Sequence, residues 1–126
     1  MSVMGKPLLG AKVLIAEDEA ILALDLMSAL LDAGAEVIGP VPSVKRATEL
    51  AESQALDCSI LDVRLKDGLV FPAAEVLRRK GVRIIFHTGQ ADPEIISRNW
   101  PDAKVFQKPA PLHEMIRAVI KACVPA

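Results

Sequence analysis

Short runs of apolar residues alternate with stretches of helical periodicity along the whole chain. Five of these runs predict strands, and they lie at residues 13–16, 37–38, 58–61, 82–86 and 105–106. Several are apolar without interruption, which indicates strands that helices cover on both faces. The pattern therefore predicts an α/β domain, with a doubly wound parallel sheet of five strands and helices on both faces.

Five helices are predicted between and after these strands. The first carries apolar residues on one face and ends at Gly34, a typical helix stop. The last follows Pro111, a residue suited to a first helical position, and its apolar face continues to Cys123. The other three helices begin after Ser43, at Pro72 and at Asp92-Pro93.

The length of 126 residues leaves room for one domain, which we expect over residues 1–126 with a core of about 11–123. Hydrophobic residues make up 52% of the chain, enough for a self-sufficient core. The net charge is -1, so no bulk attraction to nucleic acid or to anionic lipid is expected. Any function that depends on charge must be local.

The cysteine pattern and the absence of a long apolar run bear on the compartment. Cys58 and Cys123 stand singly in apolar segments, without the spacing of a zinc site or of a disulfide framework. Both are predicted to be small core residues in a reducing compartment. No apolar run reaches the ~18 residues of a membrane span, and the first ten residues lack a secretion signal. We therefore expect a cytoplasmic protein without membrane contact.

Polar residues follow the predicted strands, at the edge of the sheet where parallel sheets bind ligands. In chain order they are Glu17, Asp18, Asp62, Thr88 and Lys108. Crowded carboxylates repel one another unless a cation lies among them, and a hard ion with oxygen ligands such as Mg²⁺ fits. The third acid of the first group, Glu19, opens the first helix, where it is expected to complement the helix dipole.

The segments that carry these residues resemble the receiver (CheY-like) domains of two-component response regulators. They are "IAEDE", "LDVRLKDG" with Asp62, "HTG" with Thr88, and "KP" at Lys108-Pro109. The stretches "DGLVFPAAEVLRRKGV" and "FHTGQ" further resemble a subgroup with an "FATGY"-type fourth strand, many of which are stand-alone domains. The resemblance covers nearly the whole chain and implies a flavodoxin-like fold.

The resemblance also implies a function, that of a bacterial phosphoacceptor rather than an enzyme. Asp62 would accept a phosphoryl group from a phosphohistidine on a histidine kinase or a histidine phosphotransfer protein, and output would pass through protein–protein contacts, which could include those of a homodimer. Mg²⁺ would be held by Glu17, Asp18, Asp62 and the backbone carbonyl of Arg64. The other residues implicated are Lys108 and Thr88 for the phosphoryl oxygens, Gly89 for access, Arg64 and Gln90 for phosphoryl lifetime, and Pro109 with a cis peptide bond.

The sequence departs from the family on the fifth strand, where many receivers carry an aromatic switch residue. Val105 stands at that position, and the neighbouring Phe106 is expected on the opposite face of the sheet. Ala110 and the pair Gln90-Ala91 also replace aromatic residues of the family. We therefore expect any switch to work through the loop after Thr88 and the fourth helix.

Other interpretations stay open at this stage. The chain is either a phosphoacceptor, a receiver-like module that binds its partner without phosphorylation, or a receiver excised from a longer regulator or hybrid kinase. A small hydrolase with Asp62 as nucleophile is disfavoured, because Arg64 stands where its acid-base aspartate is required. No chemistry is assigned to His87 or His113, and Trp100 is expected to cover the core.

Overall fold

The computed structural model describes residues 5–124, in which strands and helices alternate. The strands are β1 (Lys12–Ala16), β2 (Glu36–Val41), β3 (Cys58–Asp62), β4 (Arg64–Leu65), β5 (Gly68–Leu69), β6 (Arg83–Thr88) and β7 (Lys104–Gln107). The helices are α1 (Ala20–Asp32), α2 (Val44–Ser53), α3 (Phe71–Arg79), α4 (Pro93–Asn99) and α5 (Leu112–Cys123). Within these residues, no helix has the length and apolar character needed to cross a membrane.

Five parallel strands form the main sheet, in the order β2-β1-β3-β6-β7. Helices α1 and α5 pack on one face, and α2, α3 and α4 on the other. The predicted doubly wound, flavodoxin-like fold is therefore confirmed. Asp62 and Thr88 are the last residues of their strands rather than the first residues beyond them, a small shift from the prediction.

Alternating residues of the central strands supply two separate cores. Ile15, Ile60 and Ile85 point towards α1 and α5, whereas Leu61 and Phe86 point towards α2, α3 and α4. All five are at most 2% exposed, so both faces of β1, β3 and β6 are covered. Each such side chain contributes roughly 1.5–3 kcal/mol through the loss of water contact. This burial supplies the free energy that holds charged groups together at the sheet edge.

The helix termini follow the sequence signals. Ser43 and Asp92 are the N-caps of α2 and α4, and their side-chain oxygens accept hydrogen bonds from the backbone N–H groups of Arg46 and Glu94. Gly34 and Gly81 follow α1 and α3 with positive φ, which glycine adopts without steric cost. These turns lead the chain from α1 and α3 back into the sheet at β2 and β6.

Strand β2 is longer than predicted and is irregular beside β1. Gly39 has a φ of +94°, and a Cβ there would lie 2.7 Å from the Ile15 carbonyl oxygen. The peptide bonds Gly39-Pro40 and Lys108-Pro109 are both cis, the second as expected. At the end of β2, the carbonyl of Val41 accepts a hydrogen bond from the Glu17 N–H at 2.9 Å. The edge strand therefore fixes the backbone of the first acidic residue.

A two-stranded hairpin after β3 is absent from the sequence prediction. β4 and β5 pair antiparallel, and Asp67 in their turn accepts hydrogen bonds from the N–H groups of Val44 (2.6 Å) and Lys45 (3.1 Å). The Val44 N–H is the main reason that the pKa of Asp67 lies below its ordinary value. The hairpin thereby ties the loop after Asp62 to the start of α2.

Trp100 lies over the core, as expected, within a cluster of three aromatic residues. It is 8% exposed, stacks on Phe71 at 5.9 Å between ring centroids, and meets Phe86 edge-on at 5.5 Å. Val105 packs on this side of the sheet and Phe106 on the other, which confirms the predicted opposition of the two.

Two basic side chains at the end of α3 contact neighbouring parts of the fold. The Arg78 guanidinium lies 3.9 Å from the centre of the Trp100 ring. Lys80 donates hydrogen bonds to three carbonyl groups at the end of α2, those of Ala51 (2.7 Å), Gln54 (3.0 Å) and Glu52 (3.4 Å). Both side chains therefore hold the end of α3 against its neighbours. The sequence pattern indicated their charge but not these contacts.

Candidate functional site

The carboxyl ends of β1, β3, β6 and β7 surround a cavity of about 570 Å³. Each contributes a polar group at or just after its last residue, and the cavity wall includes Asp18, Asp62, Thr88 and Lys108. A parallel sheet brings these positions to one edge because all its strands run in the same direction. The residues that the sequence singled out are therefore neighbours in space.

Three carboxylates form the floor of the site. Glu17, Asp18 and Asp62 each offer an oxygen atom, and these atoms all lie within 4.8 Å of one another. Glu17 and Asp62 are buried, at 4% and 5% exposure, whereas Asp18 is open to solvent. The Glu17 carboxylate accepts a hydrogen bond from the Glu19 N–H at 3.1 Å. The arrangement concentrates negative charge where water is largely excluded.

Lys108 supplies the positive charge opposite these acids. Its Nζ lies 3.0 Å from Asp62 Oδ2, 3.4 Å from Glu17 Oε2 and 3.4 Å from Glu19 Oε2. Burial alone would lower the pKa of Lys108, but the hydrogen bond to Asp62 and the three surrounding acids outweigh it, so the pKa lies above its ordinary value. Lys108 is therefore a permanent cation at the edge of the cavity.

The position of Glu19 corrects the sequence interpretation. Glu19 is the N-cap residue of α1, but its side chain makes no capping hydrogen bond and instead pairs with Lys108. A partly buried ammonium is a stronger partner than a solvated helix end, which explains the preference. The sequence signal for this contact is the run Glu17-Asp18-Glu19, because its first and third residues both contact Lys108.

Glu17 titrates far from its ordinary range. Burial raises the pKa of its carboxyl to about 7, and the neighbouring Asp62 adds to the increase, against the opposing effects of the Glu19 N–H and of Lys108. Lys108 contacts three acids, so its one positive charge does not balance theirs. Carboxylate oxygens with a deficit of positive charge suit a hard divalent cation, so the donor set fits Mg²⁺.

Thr88 connects the site to the loop before α4. Its side chain is buried, and Oγ1 accepts a hydrogen bond from the Ala91 N–H at 3.0 Å. The hydroxyl proton is left available for an acceptor within the cavity. The Thr88 carbonyl also accepts from the Lys108 N–H at 2.8 Å, which links the ends of β6 and β7.

Three further predicted residues line the mouth of the cavity. Arg64, Gly89 and Gln90 are exposed there, and a Cβ at Gly89 would touch the Lys108 stem at 3.5 Å, an ordinary contact. A larger side chain at this position would cover the lysine. The Arg64 N–H donates to Asp62 Oδ1 at 3.3 Å, so the loop after β3 folds back on the Asp62 carboxylate.

His87 is the unusual residue next to the site. It is 2% exposed, and neither ring nitrogen has a hydrogen-bond partner within residues 5–124. Burial and then the charge of Lys108 lower its pKa below the ordinary value. A neutral imidazole therefore lies beside Asp62 on the neighbouring strand.

Comparison with known proteins gives a consistent picture. No protein-family model matches the chain. The transcriptional regulatory protein PdtaR of Mycobacterium tuberculosis is 34% identical over 89 residues, which are 69% of this chain. The chain spans 43% of the length of that relative, and the two therefore share one region.

Solved structures match over nearly their whole length. A response regulator receiver protein from Sinorhizobium medicae is 32% identical, with a TM-score of 0.80, and the match covers 90% of this chain and 94% of that one. SdrG from Sphingomonas melonis is also 32% identical, with a TM-score of 0.75 and coverage of 94% and 99%. The non-phosphorylated HemR receiver domain from Leptospira biflexa is 26% identical, with a TM-score of 0.80 and coverage of 92% and 96%.

Fold, site and similarity lead to one assignment. The doubly wound sheet with an acidic cluster at its carboxyl edge has the CheY-like fold. At 32% identity across almost the whole of two solved relatives, the chain belongs to the receiver domains of the response regulators of two-component systems.

The raised pKa of Glu17 predicts how stability depends on pH without divalent ions. The folded protein binds the Glu17 proton more tightly than the unfolded chain, so this residue costs stability as the pH rises from 4.5 to about 7. In EDTA at pH 8, Glu17→Gln should raise the free energy of unfolding by about 1 to 3 kcal/mol. Below pH 4.5 the two proteins should be equally stable. Urea denaturation across this range measures the difference.

A matched control separates this effect from the general effect of removing a charge. Glu52 lies exposed near the end of α2, and Glu52→Gln should leave the pH dependence unchanged. If Glu17→Gln and wild type differ in free energy of unfolding by the same amount at pH 4.5 and pH 8, the pKa of Glu17 is not raised by folding.

Proposed function

We propose that Asp62 accepts a phosphoryl group from a phosphohistidine on a histidine kinase or a histidine phosphotransfer protein. The observation that carries the proposal is the position of the Asp62 carboxylate. It is buried at the end of β3, faces the cavity, and lies 3.0 Å from Lys108 within a cluster of carboxylates. A carboxylate can act as the nucleophile in phosphoryl transfer when neighbouring positive charge neutralises the phosphoryl oxygens.

In the proposed step, an Asp62 oxygen forms a bond to phosphorus while the bond from phosphorus to the donor imidazole nitrogen breaks. Lys108 would stabilise the negative charge on the phosphoryl oxygens, and the Thr88 hydroxyl would donate to one of them. Glu17, Asp18, Asp62 and the Arg64 backbone carbonyl would hold Mg²⁺, which supplies further charge neutralisation when bound. The product is an aspartyl phosphate, and the chain acts as a phosphoacceptor rather than as an enzyme.

We further propose that residues 11–123 act as one receiver unit in the cytoplasm, with output through protein–protein contacts. Each of the two cores combines residues from both halves of the chain, which favours a single unit. There are two alternatives. A module that binds its partner without phosphorylation would not require Asp62. A receiver that belongs to a longer regulator would be one domain of a larger full-length protein.

Intact-mass spectrometry after incubation with acetyl phosphate and Mg²⁺ tests the acceptor. The wild-type protein should gain the mass of one phosphoryl group, and Asp62→Asn or EDTA should abolish the gain. Asp102→Asn, which removes an exposed carboxylate after α4, is the matched control and should be phosphorylated normally. The same gain in Asp62→Asn would place the phosphoryl group elsewhere. No gain in the wild type, with Mg²⁺ binding shown and phosphate release absent, would favour the phosphorylation-independent module.

The decay of the adduct in the same measurement tests the modulating residues. The Arg64 guanidinium at the cavity mouth is long enough to pair with a phosphoryl group and to exclude water, and Gln90 lies on the opposite rim. We expect Arg64→Ala to shorten the half-life of the aspartyl phosphate. An unchanged half-life would make Arg64 a solvated loop residue.

Two contacts join the cavity to the ends of α4 and support a switch through this helix. Before the helix, the Thr88 hydroxyl accepts from Ala91. After the helix, Trp100 stacks on Phe71, which itself lines the cavity. A hydroxyl that turns to a phosphoryl oxygen would pull on the loop that starts α4. We propose that this movement, rather than an aromatic residue on β7, reports phosphorylation.

Backbone amide spectra with beryllofluoride and Mg²⁺ test the switch. Shifts should change from Gly89 to Trp100, and Thr88→Val should remove these changes while Thr88→Ser retains them, because only serine keeps the hydroxyl. A wild-type protein that binds beryllofluoride with no change over residues 89–100 would contradict the proposal.

Helix α1 offers a surface for the phosphodonor beside the acceptor. Ile21, Leu24 and Leu31 are 78%, 56% and 49% exposed, and their spacing places them on one face of the helix. The face begins two residues after Glu19, which contacts Lys108 in the site. A donor that brings phosphohistidine to Asp62 must pass over this end of α1, so we propose that its helices pack on this apolar face.

Separate phosphodonors distinguish docking from chemistry. Leu24→Asp should slow phosphotransfer from a phosphorylated histidine phosphotransfer protein by about tenfold or more, while the rate with acetyl phosphate stays unchanged. Ile95→Asp, at a 52% exposed apolar position on α4, is the matched control and should not slow either reaction. Equal rates of phosphotransfer for Leu24→Asp and wild type would exclude α1 as the docking surface.

A further inference from the structure

The turn of the β4–β5 hairpin is bound to the start of helix α2. Asp67 lies in this turn, and its two carboxylate oxygens accept hydrogen bonds from the N–H groups of Val44 (2.6 Å) and Lys45 (3.1 Å). These are the first two residues of α2, and such N–H groups have no acceptor within their own helix. The helix dipole also favours a negative charge at this end. Asp67 therefore caps α2 from another part of the chain.

The segment at the end of β2 and the start of α2, residues 41–45, contacts both parts of the chain that carry the acids. On one side, the Val41 carbonyl accepts a hydrogen bond from the Glu17 N–H at 2.9 Å. On the other, the Pro42 carbonyl accepts one from the Lys66 N–H at 3.4 Å, next to the bonds between the hairpin turn and α2. One segment thus holds the first acidic residue and the hairpin, and it lies outside the cavity wall.

The hairpin in turn determines where the polar groups after β3 lie. Arg64 is the first residue of β4, and its N–H donates to Asp62 Oδ1 at 3.3 Å. Its carbonyl is one of the proposed Mg²⁺ ligands. A hairpin released from α2 at Asp67 would leave this carbonyl and the Asp62 carboxylate free to move relative to Glu17 and Asp18. The hydrogen bonds of Asp67 therefore act on the distance between the two halves of the acidic cluster.

We propose that Asp67 is a positioning residue for the divalent cation, which keeps the ligands after β3 in place relative to the ligands after β1. The proposal rests on the metal site proposed above and adds to it a residue outside the cavity. Mg²⁺ requires a nearly ideal octahedral set of oxygen atoms, so a small displacement of one ligand lowers the affinity. Residues that hold metal ligands in place without contacting the ion commonly change the affinity for this reason.

Ser43 provides the matched control, because it caps the same helix without contacting the hairpin. Its Oγ accepts a hydrogen bond from the Arg46 N–H at 3.2 Å. Ser43→Ala and Asp67→Ala both remove capping bonds at the start of α2, so both should lower the stability of the protein. Only Asp67→Ala also releases the hairpin. A second control, Glu52→Gln, removes an exposed negative charge near the other end of α2.

Amide shift titrations of the full chain with MgCl₂ measure the dissociation constant for Mg²⁺ and show whether each variant is folded. Asp67→Ala should raise this constant by up to about tenfold, the lower end of what residues that hold metal ligands contribute. Asp67→Asn keeps one acceptor oxygen, so its constant should lie between those of wild type and Asp67→Ala. Ser43→Ala and Glu52→Gln should bind Mg²⁺ as the wild type does.

The outcomes separate this proposal from the metal site on which it rests. Equal dissociation constants for Asp67→Ala and wild type would overturn the role of Asp67 alone. Equal weakening in Ser43→Ala would also overturn it, because Asp67 would then be only a helix cap. A wild-type chain that binds no Mg²⁺ would overturn the metal site and this proposal together. If Asp67→Ala does not fold, the comparison of Asp67→Asn with Ser43→Ala decides the proposal in the same way.

Discussion

The contact between the Lys108 ammonium and the acids around it is the interaction on which the site depends. Lys108 reaches Asp62, Glu17 and Glu19 together, and these acids come from the ends of two other strands. Without the lysine, two buried carboxylates would repel each other with little screening by water. Even with it, three acids share the one positive charge of Lys108, so negative charge is in excess. The site therefore favours the binding of a further cation.

This arrangement is possible because the sheet is covered on both faces. The alternating side chains of β1, β3 and β6 are almost fully buried in two cores, and that burial offsets the desolvation of the charged groups at the strand ends. The edge of the sheet is then a rigid frame, with its positions set by the strands and by β2 through the Val41 carbonyl. Charges that would separate in a flexible loop are kept within a few ångströms.

The features that the sequence predicted are those set by residues close together in the chain. The apolar runs and helix caps located the strands and helices, and parallel strand ends placed Asp18, Asp62, Thr88 and Lys108 at one edge. The role of Glu19 was missed because it depends on the reach of a lysine distant in the sequence. The hairpin of β4 and β5 was also missed, because Asp67 in its turn is held by the N–H groups of Val44 and Lys45, which are distant in the sequence.

Strand β7 lacks the aromatic switch residue of many receivers, and an aromatic cluster elsewhere in the fold is its structural counterpart. Phe106 faces α5 and Val105 is small, so β7 places no aromatic ring on the side of Trp100. That side holds a stack instead, in which Phe71 at the cavity meets Trp100 after α4, with Arg78 over the indole. Helix α4 is short and only Ile96 within it is buried, so few contacts resist its displacement. A weakly anchored helix connected to the cavity at both ends is the kind of element that a small local change can shift.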